Sequence, residues 1–350
     1  MRKFDYQSFK QTPLPAEKEI MLNWRVSDDA PIVSILCVTF NQQTYIEDAI
    51  RGFLIQKTDF PFEIIIHDDA STDSTPAILI DYAKRYPKLI KLILQKENQY
   101  SQGKKVSSLA AKHASGLYLA FCEGDDFWID EYKLRQQKKV FDVNPLCSLV
   151  IHQCLLMSGD YIDSKPAMGH GSLQRIIEKK EVIGGQGQFS PTASYLLKKE
   201  IFDILPEWFQ TAPVGDYFIE CYSFKLGEVV YLPEPFSIYR VNAIGSWSSA
   251  TSDSGDESKK VCLAMYNSLE LMGQDEFFFN SGVERKMALS YVGVSKACLR
   301  VRSYDEFTRA IEKSWKLHAR VSKVQRLLYV LKNAPVLANL MLVMHGKLKG

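Results

Sequence analysis

The chain has no Cys-x-x-Cys pair, no uninterrupted apolar run of membrane-spanning length and almost no net charge, and each absence closes off a class of protein. A formal net charge of +2 over 350 residues leaves no overall basic footprint for a nucleic-acid partner. The seven cysteines, at 37, 122, 147, 154, 221, 262 and 298, form an odd set. Cys37 and Cys122 lie inside apolar runs, where a free thiol behaves as a small hydrophobe. Neither a disulfide framework nor a zinc site is implied, and a reducing compartment is. The opening stretch, MRKFDYQSFKQTPLPAEKEI, lacks the apolar segment of a secretion signal. Residues 327–344 are long enough to span a bilayer but are broken by Lys332, Asn333, Pro335 and Asn339. They read as an amphipathic helix, packed on the protein or lying in the membrane interface. Signatures of other chemistries are missing too. No G-x-G-x-x-G follows the first strand, Gly103-Lys104-Lys105 lacks P-loop spacing, and no H-E-x-x-H occurs.

What is present is an ordinary globular composition, 46% hydrophobic and 24% charged, with one asymmetry. From residue 301 onward ten Lys or Arg face three acids, a basic region that suits an anionic membrane surface or a solvated helical face. Residues 1–30 are mixed and polar, with Pro13, Pro15 and an Asp28-Asp29 pair, and read as an extension. PIVSILCVTF (31–40) and FEIIIHDDA (62–70) are continuous apolar runs rich in β-branched residues, as strands covered on both faces of a parallel sheet are. LIKLILQ (89–95) and GLYLAFC (116–122) read as further strands, with helical spacing in between, and a polar amphipathic helix follows over 130–143. Thr75-Pro76 reads as an N-cap followed by proline in the first turn. This alternation predicts an α/β domain with a parallel sheet over 31–145. Beyond it the alternation weakens: 159–187 is glycine-rich, 192–199 reads as a strand, Gly215–Leu226 as a short helix, 229–241 as extended, and the part from about 256 as mostly helical.

Open α/β sheets bind ligands at the carboxyl ends of their strands. Two strands deliver acids there: Asp68 and Asp69 after IIIH, and Glu123, Asp125 and Asp126 after YLAFC. Turn and capping chemistry would explain either cluster alone. Both together need a compensating cation or donor groups, and a hard divalent ion takes carboxylate and phosphate oxygens. His67 and His152, next to strand residues, read as core or edge histidines, and His113 as exposed.

The segments VSILCVTFNQQTYIEDAI, EIIIHDDASTDST and ASGLYLAFCEGDDFW, in that order, resemble the family 2 glycosyltransferases. Gly215-Asp216-Tyr217 and PFSIYRVN (235–242) extend the resemblance to about 250. It implies a GT-A fold, a mostly parallel mixed sheet flanked by helices, over 31–250, with a nucleotide-sugar half (31–145), an acceptor half (146–250) and a helical C-terminal extension (251–350). It further implies inverting sugar transfer from a nucleoside diphosphate sugar, UDP-sugar favoured, to a saccharide or lipid-linked acceptor in surface polysaccharide assembly. Mn²⁺ or Mg²⁺ would assist, in the cytoplasm or at the inner face of the membrane. Carried over by position, Thr39, Phe40, Asn41 and Asp69 would line the base and ribose, with Asp68 supporting their loop. Glu123 and Asp125 would hold metal and diphosphate, Asp126 would face the sugar, and Asp216 would be the general base. Glu123 stands where the motif usually opens with Asp, which shifts metal binding toward Asp125. Asn242 stands where many relatives have His, and Arg240 could then take up diphosphate charge. Trp208 and Trp247 could stack on an acceptor sugar.

Two rivals remain at this level. A nucleotidyltransferase would place a glycine-rich, cationic loop after the first strand, where this chain has VTFNQQTY. A catalytically silent carbohydrate-binding or scaffold protein would have no use for both Asp125 and Asp216.

Overall fold

The buried run at 33–39 is the first strand of a ten-stranded mixed sheet. In the computed structural model, which describes residues 4–25, 30–185, 187–244 and 255–347, the strands are β1 (Val33–Thr39), β2 (Phe62–Asp68), β3 (Ile90–Leu94), β4 (Tyr118–Phe121), β5 (Phe127–Trp128), β6 (Cys147–Ser158), β7 (Tyr161–Ile162), β8 (Arg175–Ile177), β9 (Leu196–Lys198) and β10 (Glu228–Arg240). Their order is β3-β2-β1-β4-β9-β6-β10-β5, with β7 on β6 and β8 on β10. β3, β2, β1 and β4 run parallel; β9 then pairs antiparallel with both β4 and β6. Ile35, Cys37, Ile64 and Ile66 are wholly buried, as both-face coverage of a parallel sheet demands. The helix Ile46–Leu54 supplies Ile50 and Phe53 to the same core, where Phe53 meets the Trp128 ring edge-on at 5.0 Å.

The second half of the sheet departs from the expected pattern. β6 was not legible as a strand, because Ser148, His152 and Gln153 punctuate its apolar residues. The Ser148 hydroxyl donates to the Glu228 carbonyl (3.1 Å), and His152 Nδ1 lies 2.9 Å from the Gln153 carbonyl, while His152 Nε2 has no hydrogen-bond partner among the described residues. β10 pairs with β6 in two parallel stretches, broken between Leu232 and Ser237 where Pro233 and Pro235 cannot donate to the ladder. The stretch 192–199 is a 3₁₀ turn, Thr192–Ser194, followed by the short β9. Thr75 is not a cap: it is the first residue of the helix Thr75–Arg85, and its hydroxyl accepts the Gln42 backbone N–H at 2.9 Å.

The residues read as an extension hold two short helices, Tyr6–Gln11 and Glu17–Met21. Asp5 caps the first through the N–H groups of Gln7 and Ser8, and Phe4, Tyr6 and Phe9 gather on the Phe127 ring at 5.2 to 6.3 Å. Asp28 and Asp29 lie outside the described residues.

The chain divides into two compact units. One comprises Met1–Glu178, Gln188–Thr211 and Gly215–Ser246 and contains the whole sheet. The other comprises Lys179–Gly187, Ala212–Val214 and Trp247–Gly350. Its helices Gly255–Met272, Val283–Arg300, Tyr304–Leu317, Lys323–Val330 and Pro335–Lys347 close on Ala288, Cys298, Phe307, Ile311, Leu328 and Ala338. A buried polar link joins them, Gln325 donating to the Ser314 hydroxyl (2.9 Å), which donates to the Ala288 carbonyl (2.7 Å).

Candidate active site

Three loops at the carboxyl ends of β1, β2 and β4 meet at one place, tied by short side-chain bonds. Asn41 and Ala70 follow β1 and β2 with φ of 53° and 63°, a conformation non-glycine residues rarely adopt. Cross-loop bonds hold them there. The Ser71 hydroxyl accepts the Asn41 N–H (2.8 Å), the Asn41 side chain accepts the Thr72 N–H (2.8 Å), and Asp73 accepts the Gln43 N–H (3.1 Å). Asp68 anchors this arrangement by accepting both the hydroxyl (2.5 Å) and the N–H (3.0 Å) of Ser71. Asp69 is buried, and its two carboxylate oxygens accept the N–H groups of Gln99 (2.7 Å) and Tyr100 (3.0 Å). It thus fixes the turn after β3. Phe40 is exposed between these loops.

Glu123, Asp125 and Asp126 follow β4 directly. Gly124 is needed there for close approach, since a Cβ would come within 2.3 Å of Gln42 Oε1 and 2.8 Å of Thr39 Oγ1. The Gly124 N–H donates to the Val38 carbonyl (3.0 Å), and the Thr39 hydroxyl donates to Gln42 Oε1 (2.8 Å). Glu123 is open to water yet set deep among protein groups. Burial first, then the charges of Asp125 and Asp216, push its carboxyl up to about 8. Burial also raises Asp125, against Arg240 and a hydrogen bond with Gln42, which pull it down. Asp126 is raised furthest by burial and Asp125, although its Oδ1 accepts the Arg240 N–H at 2.9 Å. Beneath them burial and the same carboxylates push the Cys37 thiol up.

Arg240 is 7% exposed and fully engaged. Its guanidinium pairs with Asp48, donates to the Asp125 carbonyl (2.6 Å), reaches the Tyr6 hydroxyl (3.3 Å), and lies over the Phe127 ring at 4.6 Å. This geometry holds the acidic loop from behind. Asn242 adopts φ 58°, which Asn tolerates.

Asp216 opens the helix Asp216–Leu226, after Gly215, and its Oδ1 accepts the Tyr217 N–H at 2.8 Å. The N-terminal end of a helix favours a negative charge. Its charge is felt at Glu123, at Lys105, and at Glu220 one turn on, so residues some ninety positions apart in sequence share one electrostatic neighbourhood. Burial lowers Lys105 to about 8, against Asp216. Glu220 is buried; its Oε1 accepts the Ser190 N–H (3.2 Å), the Ser190 hydroxyl (2.8 Å) and the Tyr195 hydroxyl (2.7 Å). Trp208 packs edge-on against Phe218 (5.1 Å) and Tyr222 (6.2 Å) of the same helix. Trp247 lies outside the described residues.

With this geometry in view, residues 34–202 match the family model described as Glycosyl transferase family 2. Over these residues, just under half of its length, the chain carries a family 2 glycosyltransferase domain. The uncharacterised protein Rv1520 of Mycobacterium tuberculosis is 36% identical over 224 residues, 63% of this chain and 62% of that protein, so the chain spans under two thirds of the relative's length. In fold, it is similar to S. aureus TarS, solved in complex with UDP-GlcNAc, at TM-score 0.59 and 16% identity over 88% of each chain. It is similar also to the mannosyltransferase PcManGT from Pyrobaculum calidifontis, in complex with GDP-Man and Mn²⁺, at TM-score 0.53 and 15% identity over 96% of this chain and 91% of that one. The fold is GT-A, a mixed sheet flanked by helices with a helical C-terminal region.

Several residues that shape this glycosyltransferase site gave no signal in the sequence. Gln42, Asp48, Tyr6, Lys105 and Glu220 act through contacts between distant segments, Arg240 with Asp48 being 192 positions apart. Only the acid one turn after Asp216 carried a readable hint, since i and i+4 share a helix face.

Proposed function

We propose that this glycosyltransferase moves a sugar from a nucleoside diphosphate sugar, a UDP-sugar by preference, to a hydroxyl of a saccharide or lipid-linked saccharide acceptor of a surface polysaccharide, with inversion at the anomeric carbon. One observation carries the reading. A carboxylate on an independent helix, Asp216, lies close enough to Glu123 to add, after burial and Asp125, to the rise in its carboxyl. Phe40, exposed between the strand-end loops, suits stacking on the base, with Thr39 and Asn41 beside it in the chain. Asp69 keeps further lone pairs for the base or ribose beside the two N–H groups it already accepts. Asp126 and Arg240 hold the motif loop, an assignment their mutual bond supports over direct diphosphate contact by Arg240.

Glu123 and Asp125 fit a divalent cation. Their donors are all carboxylate oxygens, burial opposes the ionisation of both and nearby carboxylates oppose that of Glu123, and two carboxylates plus phosphates are what Mg²⁺ typically accepts. Mn²⁺ or Mg²⁺ bound there would neutralise the departing diphosphate. Asp216 takes the proton of the acceptor hydroxyl as the acceptor oxygen bonds to the anomeric carbon and the bond to the diphosphate oxygen breaks. Inversion follows from that single displacement.

Nucleoside diphosphate sugars, tested for thermal stabilisation with and without Mn²⁺, decide the reading. A true donor at 100 times its Kd adds about 2.7 kcal/mol. Asp125→Asn should remove the metal-dependent part without unfolding the protein, and free nucleoside diphosphate should appear only with an acceptor. Stabilisation by no nucleotide sugar, or full metal-dependent binding by Asp125→Asn, would overturn it.

A further inference from the structure

The helix Pro335–Lys347 belongs to the second unit and is apolar nearly all round, yet it buries little. Ala338 is fully buried and Leu342 packs partly on the core of that unit. Val336, Leu337, Leu340, Met341, Val343 and Met344 are all exposed, Val336 at 67%. At 100° per residue they cover an arc of about 160°, far wider than the strip that packs. A contiguous apolar face of this size on a folded unit marks an interaction surface.

Charge decides what covers it. Residues 313–350 hold eight Lys or Arg and no Asp or Glu. Lys316, Arg320, Lys323 and Arg326 are exposed, and none makes an ion pair among the described residues. A second copy would bring this basic segment against itself, and like charges brought together oppose association. An anionic lipid surface satisfies both features: the apolar arc enters the headgroup boundary while the cations meet lipid phosphates. Among the described residues no helix is long and apolar enough to cross a membrane. At 1.5 Å per residue this helix is only about 20 Å long, against a hydrocarbon core of about 30 Å.

We propose that the helix Pro335–Lys347, with the basic segment before it, docks the protein on the surface of an anionic bilayer. The inference does not rest on the sugar-transfer reading, although a lipid-linked acceptor would lie in the same plane.

Cosedimentation of the full chain tests it, using phosphatidylcholine vesicles with and without an equal share of phosphatidylglycerol. The protein should pellet with the anionic vesicles and be released by salt. Leu337→Ser with Leu340→Ser should lower partitioning about tenfold or more. Lys323→Gln with Arg326→Gln should lower it about 25-fold, at about fivefold per charge. All four positions lie outside the proposed catalytic site and are exposed, so thermal unfolding should match wild type, which separates lost docking from lost folding. Failure to pellet, equal binding to neutral vesicles, or a leucine pair that changes oligomeric state instead of partitioning would each overturn the proposal.

Discussion

Two acidic corners face each other in the first unit, and they are stabilised differently. At the Glu123–Asp126 corner three carboxyls follow one strand, and the fixed cation among them, Arg240, is committed to Asp48 and to backbone contacts. Burial raises all three, and repulsion from neighbouring carboxylates adds to it at Glu123 and Asp126. At the Asp216 corner a single carboxyl sits on a helix N-terminus with Lys105 in electrostatic reach, and the acid behind it, Glu220, is held by three fixed donors. Under the proposed reading, a divalent cation bound with the donor would compensate the first corner. In the second, protein donors hold Glu220, and a helix start favours the negative charge that the proposed reading needs on Asp216 before it takes the acceptor proton.

Replacing the base breaks the comparison most. Asp216→Asn keeps an equally good residue for a helix start, so folding and donor binding should persist. Turnover should fall by roughly 10²–10⁴-fold. Steady-state rates beside thermal unfolding check this, and near-normal turnover returns Asp216 to a structural role.

Arg240→Met attacks the other corner through stability. It leaves Asp48 buried and unpaired and should cost about 3–5 kcal/mol. Arg240→Met with Asp48→Asn should recover much of that loss, because the stranded charge is gone. Denaturant unfolding reads both, and an unchanged midpoint in the single variant would mean that the pair is neutral here.

Asp69→Ala sharpens the contrast within the nucleotide half. Loss of charge-assisted hydrogen bonds should weaken donor binding by about 1.5–3 kcal/mol, measured by calorimetry. Because the same carboxylate orders the backbone of Gln99 and Tyr100, amide exchange should quicken at those two positions. Faster exchange with unchanged donor affinity would leave Asp69 a purely architectural residue.

The parts of this molecule that were legible are those written in local pattern. β1 and β2 announce themselves because a strand buried on both faces must be apolar throughout, and the acids after β2 and β4 stand out against those runs. β6 stayed hidden because Ser148, His152 and Gln153 can be buried only once Glu228 and neighbouring backbone groups arrive from elsewhere in the chain. Gly124 is needed for its missing Cβ beside Thr39 and Gln42, which only the folded sheet brings to it. Arg240 was read as a diphosphate contact because its partners Asp48 and Tyr6 belong to segments that only the folded sheet brings near it.

A further effect separates the corners by pH. Glu220 is buried, and burial first, then Asp216, raises its carboxyl to about 8, opposed by its bonds to Tyr195 and Ser190. In the unfolded chain the same group titrates near 4.3. Between those values the folded state holds the proton and the unfolded state does not, so stability contributed by the neutral acid is complete below the lower value and is lost as pH rises toward 8. The slope approaches about 1.4 kcal/mol per pH unit for one group. Glu220→Gln retains the acceptor oxygen for Tyr195 and Ser190 without the ionisable proton. Unfolding free energy of that variant should therefore vary less between pH 5 and pH 8, by roughly this slope. Mn²⁺ should leave the difference between the two proteins unchanged, since Glu220 lies apart from the carboxyls assigned to the cation. A wild-type stability curve that rises with pH across this window, or a Gln variant with the same slope as wild type, would show that Glu220 is already ionised in the folded protein and that its three donors outweigh its burial.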